Sequence, residues 1–275
     1  MNEAIMHNSL QEMLSYFSLQ KDPFGRDIET SQLLRLPLIS EALVNLDFFC
    51  ERRGIGILTG KSGSGKSCLL RLLVSRLPAG MYRPVYLCHS SVSVGEFYGH
   101  VATAFNLPSR GRKASLFRLI KEYVYQLQHT EKIHPLLIID EAHVLSNDIL
   151  MELRQLLNFQ YDSETCLSIL LCGQDEILSR LRLSIHEPLT NSITTTVIMK
   201  PLSQEETGSY LEERVKLAGA QRNLFSPQAI RAIHNTSHGV MRLINGIASG
   251  SLTKAWRIQA PMVEAEQITS MMSDT

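Results

Sequence analysis

Residues Gly60-Lys61-Ser62-Gly63-Ser64-Gly65-Lys66-Ser67 satisfy the pattern G-x-x-x-x-G-K-S/T at every fixed position. Its glycines let the backbone wrap a polyphosphate so that successive N–H groups point inward at the oxygens. Lys66 then offers an ammonium to the outer phosphates, and the Ser67 hydroxyl offers a ligand to Mg²⁺. A loop of this kind works only between a strand and a helix. The chain supplies both. Gly54-Ile55-Gly56-Ile57-Leu58-Thr59 is a short apolar run suited to a buried strand, and Ser67-Cys68-Leu69-Leu70-Arg71-Leu72-Leu73-Val74 opens a helix with its amino end toward the anion. Residues Gly60 to Cys68 are the expected phosphate-binding segment.

The rest of the chain alternates strands and helices. Further strands are expected at 84–88, 135–140, 167–172 and 193–198, and helices near Glu3–Phe17, Ile39–Phe49, Val94–Ala104, Ser115–Gln128 and Ile149–Phe159. The pattern predicts an α/β parallel sheet of the P-loop NTPase type, sandwiched by helices. After Pro201-Leu202 no further strand is expected. Ser203-Gln204-Glu205-Glu206 fits a capping box, and Ser226-Pro227 places proline at the first helical position. A third helix begins near Val240 and runs through Ala255. The expected division is a leader at 1–36, a nucleotide-binding core at 37–201 and a small helical lid at 202–275.

A second acidic block answers the loop. Pro135-Leu136-Leu137-Ile138-Ile139 leads into Asp140-Glu141, which puts Asp140 at the carboxyl edge of the sheet as a Mg²⁺ ligand beside Ser67. Glu141 is placed to orient or deprotonate an attacking water. Strand four closes at Cys172-Gly173-Gln174, where Gln174 can sense or position that water. No Asn-Lys-x-Asp guanine reader occurs, so ATP is preferred over GTP.

Composition narrows the setting. The 275 residues carry 27 basic and 27 acidic side chains, which argues against nucleic-acid binding driven by overall charge and leaves room for a local basic face. Arg110, Arg112 and Lys113, followed by Arg118 and Lys121, form the densest cluster. No apolar run approaches the roughly 20 residues of a membrane span, and no secretory signal is visible, so a cytoplasmic setting is expected. Five dispersed cysteines without a C-x-x-C pair read as small buried hydrophobes, not as a zinc site or disulfide framework.

Taken in order, these blocks resemble AAA+ ATPases, and more particularly the ExeA-type ATPases first described in bacterial secretion systems. Tyr16-Phe17-Ser18-Leu19-Gln20-Lys21-Asp22-Pro23-Phe24 looks like the leader of that family. Asp140-Glu141-Ala142-His143, Leu156–Phe159, Leu171–Gln174 and Gly239-Val240-Met241-Arg242-Leu243-Ile244-Asn245 match it in order. Tyr86–Tyr98 and Asn158–Ser163 are most similar to the stand-alone ATPases that accompany transposases, and the chain ends after the lid without the secretion relatives' membrane segment.

The resemblance implies an ATP-dependent homo-oligomer on double-stranded DNA, without sequence preference, that recruits or activates a transposase. Two alternatives are an ATPase partner of a secretion or envelope complex and a nucleotide-gated scaffold with very slow hydrolysis. The resemblance also assigns Arg242 a sensor role over the phosphates. Relatives usually carry an arginine before the strand-five isoleucine that acts on a neighbouring subunit; here the position is Ser192. Where such an arginine operates it contributes about 10³–10⁵ in turnover. Either Arg180 or Arg182 substitutes for it, or hydrolysis is slow.

Overall fold

The structure, a computed structural model, describes residues 2–25, 37–88, 92–160 and 163–273. Parts of the expected leader (Arg26 to Arg35 and Leu36), Ser91, and Tyr161-Asp162 lie outside the described residues. The chain divides into two compact units. One comprises Glu41–Ser62 and Lys66–Met199; the other comprises the described residues of Met1–Ser40, Gly63–Gly65 and Lys200–Thr275.

In chain order the first half runs α1 (Asn2–Tyr16), α2 (Pro37–Arg52), β1 (Ile55–Gly60), α3 (Lys66–Arg76), β2 (Tyr82–Leu87), α4 (Val94–Ala104), α5 (Lys113–Gln126) and β3 (His134–Ile139). It continues through α6 (Asn147–Leu157), β4 (Ser168–Gly173), α7 (Glu176–Leu181), α8 (Glu187–Thr190) and β5 (Ile193–Met199). Four helices follow: α9 (Gln204–Leu217), α10 (Pro227–Ser237), α11 (Met241–Arg257) and α12 (Ala265–Ser273). Among the described residues no helix is long and apolar enough to cross a membrane.

The five strands form one parallel sheet in the order β2-β3-β4-β1-β5, the fold class expected from the sequence. Every residue of β1, β3 and β4 is buried. These three central strands are mainly apolar, as strands covered on both faces require, with Thr59, His134 and Ser168 as buried polar residues near their ends. At the edge, β5 alternates instead, with exposed Thr194 and Thr196 against buried Val197 and Met199. On one face Ile57, Ile139, Ile169 and Leu171 pack with Phe97, Phe105, Ile120 and Leu153. Each such fully buried side chain stabilises the fold by roughly 1.5–3 kcal/mol.

Register carries this order into function. Ile139 pairs with Leu171, and Leu171 with Ile57, so β3 ends first at this edge, with β4 continuing to Gly173 and β1 to Gly60. Strands β1 and β2 are consecutive in sequence but have β3 and β4 between them, the kind of crossover that leaves a crevice at the carboxyl ends of a parallel sheet.

In the other unit the predicted caps are present. The Ser203 hydroxyl accepts from Glu206 N at 3.1 Å and the Glu206 carboxylate accepts from Ser203 N at 2.7 Å. Ser226 caps α10 by accepting from Ala229 N at 3.1 Å, with Pro227 at the first turn. The described leader belongs to this unit. Met13, Phe17, Leu19 and Phe24 are buried, and Phe24 meets Phe225 edge-to-face at 6.0 Å. Arg214, only 6% exposed, donates through Nε to the Pro23 carbonyl at 2.5 Å and lies 5.7 Å from the Phe24 ring. A buried guanidinium tolerates this setting because carbonyl and aromatic faces replace its water.

Helices α7 and α8, six and four residues long, were not legible as periodic patterns. The expected Ser115–Gln128 helix instead starts at Lys113 and finishes in a π turn, Leu127–Glu131.

Candidate functional site

The phosphate loop starts where β1 ends and gives way to α3 at Lys66. Gly63 and Gly65 take φ of 81° and 96°, left-handed values that a side chain would strain. A Cβ at Gly63 would also fall 2.5 Å from the Cβ of Arg242. The Lys66 ammonium donates to the Gly60 and Lys61 carbonyls at 2.7 and 2.9 Å. Ser67 is exposed in the first turn of α3. The Ser64 hydroxyl is buried and has no hydrogen-bond partner, so an acceptor oxygen entering the loop would satisfy it. Lys61 and Ser62 are exposed, and Cys68 accepts from Arg71 Nη2 at 3.3 Å.

Across the same edge, Asp140 is 7% exposed. Its Oδ2 accepts from the Tyr86 hydroxyl at 2.6 Å and its Oδ1 from Glu141 N at 2.9 Å. Burial first, then this hydrogen bond, pushes the Tyr86 phenol well above its ordinary range, so it stays a donor. The hydroxyl of Ser67 and the carboxylate of Asp140 are hard oxygen donors of the kind Mg²⁺ takes. That pair of donors fits Mg²⁺, and the orphaned Ser64 hydroxyl fits a phosphate oxygen.

Glu141 adopts a left-handed backbone, φ 52°, a conformation that costs about 1–3 kcal/mol and persists only where surroundings enforce it. The enforcement is visible. A Cβ at Gly173 would lie 3.0 Å from His143 N, so glycine lets β4 end close against the Ala142–His143 turn. His143 Nε2 then lies 3.2 Å from the Gln174 side-chain amide nitrogen, and His143 Nδ1 lies 3.4 Å from Glu141 Oε2. If the amide donates to Nε2, the ring proton sits on Nδ1 and is aimed at the Glu141 carboxylate. Nδ1 also faces the Gln174 backbone N–H at 3.4 Å, so it serves the carboxylate when protonated and that N–H when bare. Behind the turn, Arg180 donates to His143 O and Asn147 Oδ1, both at 2.8 Å.

The structure thus brings Lys66, Asp140, Glu141 and Gln174 to one edge of the sheet. Arg242 lies in the helical unit, exposed in the first turn of α11, with its backbone N–H donating to Gly63 O at 3.1 Å. Ser192 donates to Pro188 O at 3.2 Å ahead of β5; Arg180 is engaged as above, and Arg182 is exposed. The basic cluster divides. Lys113 pairs with Glu152 at 2.5 Å, and Lys121 is bound to Asn158 O and lies 3.3 Å from the Phe159 ring centre. Burial pulls Lys121 down to about 8. Arg110, Arg112 and Arg118 are exposed.

Two participants were absent from the sequence reading. Tyr86 reaches Asp140 only through β2–β3 register, though a hydroxyl near the end of the neighbouring strand was a usable signal. His143 stood inside the Asp140–His143 block without a role.

Residues 50–181 match the family profile of the AAA domain. General secretion pathway protein A of Aeromonas hydrophila is 29% identical over 245 residues, covering 88% of this chain and 44% of that protein. The chain therefore spans less than half the length of that relative. Among solved structures, Cdc6p of Pyrobaculum aerophilum superposes with a TM-score of 0.66 at 21% identity, over 89% of this chain and 68% of that one. Drosophila ORC bound to DNA gives 0.66 at 16% identity over 94% and 64%, and the Thermotoga maritima RuvB branch migration motor gives 0.56 at 16% over 86% and 68%. The fold is the one these solved structures share, a five-stranded parallel sheet flanked by helices, and residues 50–181 are similar to the AAA domain.

Proposed function

We propose that this chain binds and hydrolyses ATP, assembles on double-stranded DNA as an ATP-dependent homo-oligomer, and assists a transposase. The observation that carries the ATPase reading is the chain of contacts from Gln174 through His143 to Glu141, beside Asp140 and Lys66 at one sheet edge. Lys66 would bind the outer phosphates. Ser67 and Asp140 would hold Mg²⁺, which supplies charge neutralisation at those phosphates. Tyr86 keeps Asp140 oriented for that duty. Glu141 takes the proton of the attacking water, aimed by His143, and Gln174 sets the tautomer that lets His143 do so. Arg242 acts as the lid's phosphate sensor.

DNA as partner is supported by the exposed Arg110, Arg112 and Arg118. The Drosophila ORC structure, a protein of the same fold, is itself bound to DNA. The transposase role rests on the resemblance of Tyr86–Tyr98 and Asn158–Ser163. The similarity to General secretion pathway protein A favours a second reading, an ATPase serving an envelope secretion complex.

The test is ATP turnover with and without duplex DNA. DNA is expected to raise turnover, and Lys66→Ala to abolish it. Replacing Arg110, Arg112 and Arg118 by alanine should weaken DNA binding and flatten its logarithmic salt dependence by about 2.7, or about 0.9 per lost phosphate contact. Turnover and ATP affinity indifferent to DNA would reject it as the partner. ATP-dependent binding to membrane vesicles would then favour the secretion reading.

A further inference from the structure

At the amino edge of the sheet, three side chains of different chemistry converge. His129 occupies the π turn Leu127–Glu131 that ends α5, closed by Lys132 at φ 59°. Such turns disturb the regular ladder and recur at functional positions. Tyr125 stacks on the His129 ring with centres 4.1 Å apart, fixing its plane. His129 Nε2 lies 2.9 Å from Glu164 Oε2. The Cys166 sulfur sits 3.8 Å from that nitrogen and 3.7 Å from that oxygen. Phe159 and Glu164 form an isolated antiparallel bridge, which holds the second segment in place.

The ion pair sets the shortest edge of this triangle, and the other two are long, weak contacts of the Cys166 sulfur. Tetrahedral Zn²⁺ has bonds of about 2.3 Å to sulfur and about 2.0–2.1 Å to nitrogen and oxygen, which sets its ligands roughly 3.3–3.6 Å apart. Each observed edge lies within about half an ångström of that range. We propose that His129, Glu164 and Cys166 form a zinc-binding site, with water as the fourth ligand. Exposure fits: Cys166 is buried, whereas the His129 and Glu164 side chains are 38% and 39% exposed, leaving one side open to solvent.

A nitrogen, oxygen and sulfur set selects zinc over magnesium or calcium, which take oxygen ligands. A thiolate and a carboxylate match the charge of the dication. The neighbouring cations are Lys121 and Arg53; the first is held by Asn158 O and the Phe159 ring, the second by Thr165 O at 3.4 Å. The bound ion would pin the end of α5 to the segment entering β4. No sequence motif announces such a site, because its ligands come from one cysteine, one histidine and one glutamate in two distant segments.

The experiment titrates the chelator-stripped 275-residue chain with Co²⁺ as the optical probe, followed by Zn²⁺. One equivalent of Co²⁺ should bind with a thiolate-to-cobalt charge-transfer band that Zn²⁺ displaces. The band should disappear in Cys166→Ser and persist in Cys88→Ser. His129→Ala and Glu164→Gln alter half-exposed side chains, so they report even where Cys166→Ser fails to fold. Each should lower affinity at least about a hundredfold, beyond the roughly 10–100-fold cost of losing a supporting hydrogen bond, while Mg²⁺–ATP binding stays unchanged. Absence of the band, or its persistence at undiminished affinity in His129→Ala and Glu164→Gln, would overturn the site.

Discussion

At the carboxyl edge of the sheet, β1, β3 and β4 give way to Lys66, Asp140-Glu141 and Gln174. At the amino edge the same β3 and β4 begin with His134 and Ser168, buried groups that satisfy one another. There His134 Nε2 meets Ser168 Oγ and Nδ1 meets Gln128 Oε1, both at 2.8 Å. The carboxyl edge, beside the buried Asp140, presents the left-handed Glu141, 52% exposed. One rim is kept ready for ligand and solvent, whereas at the other the His134–Ser168 pair is closed for stability. The difference follows from parallel topology, which gathers the chain's crossovers into a crevice only at the strands' carboxyl ends.

If that contrast is sound, a change at the carboxyl rim should remove activity and spare the fold. Glu141→Gln is expected to lower ATP turnover by about 10²–10⁴, the usual share of a general base, with ATP affinity and thermal midpoint nearly unchanged. A turnover loss under twofold would return the scaffold reading that Ser192 suggests. A smaller loss is expected for His143→Ala, because the Glu141 carboxylate keeps its chemistry and loses only its guide. A hydrogen bond to a charged group contributes about 1.5–3 kcal/mol, so kcat should fall roughly 10- to 100-fold at constant KM. His143→Asn, which keeps a donor near the Nδ1 position, should recover most of it. Equal loss in both variants would mean that His143 merely supports the turn.

The two rims also differed in how far the sequence revealed them. Local patterns sufficed for the phosphate loop, for Asp140-Glu141 and for the buried strands, because each is written in consecutive residues with a fixed chemical duty. The edge strand β5 was visible through its threonines, and the Ser203 and Ser226 caps through side chains suited to bind the helix start. What remained hidden depends on register or distance. Tyr86 meets Asp140 across 54 residues of chain, and Arg214 meets Pro23 across 191. The π turn at Leu127–Glu131 left no period of its own, so His129 could not be placed beside Cys166 by spacing. The five basic residues looked alike as a string; only Glu152 and Phe159, packed from elsewhere, separate Lys113 and Lys121 from the three arginines.

The amino rim gives the mildest prediction, and it concerns pH. Burial, reinforced by the Arg53 charge, holds the His134 imidazole at about 3, against about 6.5 in an unfolded chain. Between those values the unfolded chain binds a proton that the folded chain refuses. The stability tied to His134 is therefore fully present above pH 6.5 and drains away as pH falls toward 3. At pH 5 the loss is about 2 kcal/mol at most. Urea unfolding at pH 7.5 and pH 5 measures it. His134→Gln should be less stable than the parent at pH 7.5, since it breaks the Gln128–His134–Ser168 chain, yet lose less on acidification. Parallel losses in the two proteins would place the acid sensitivity outside His134.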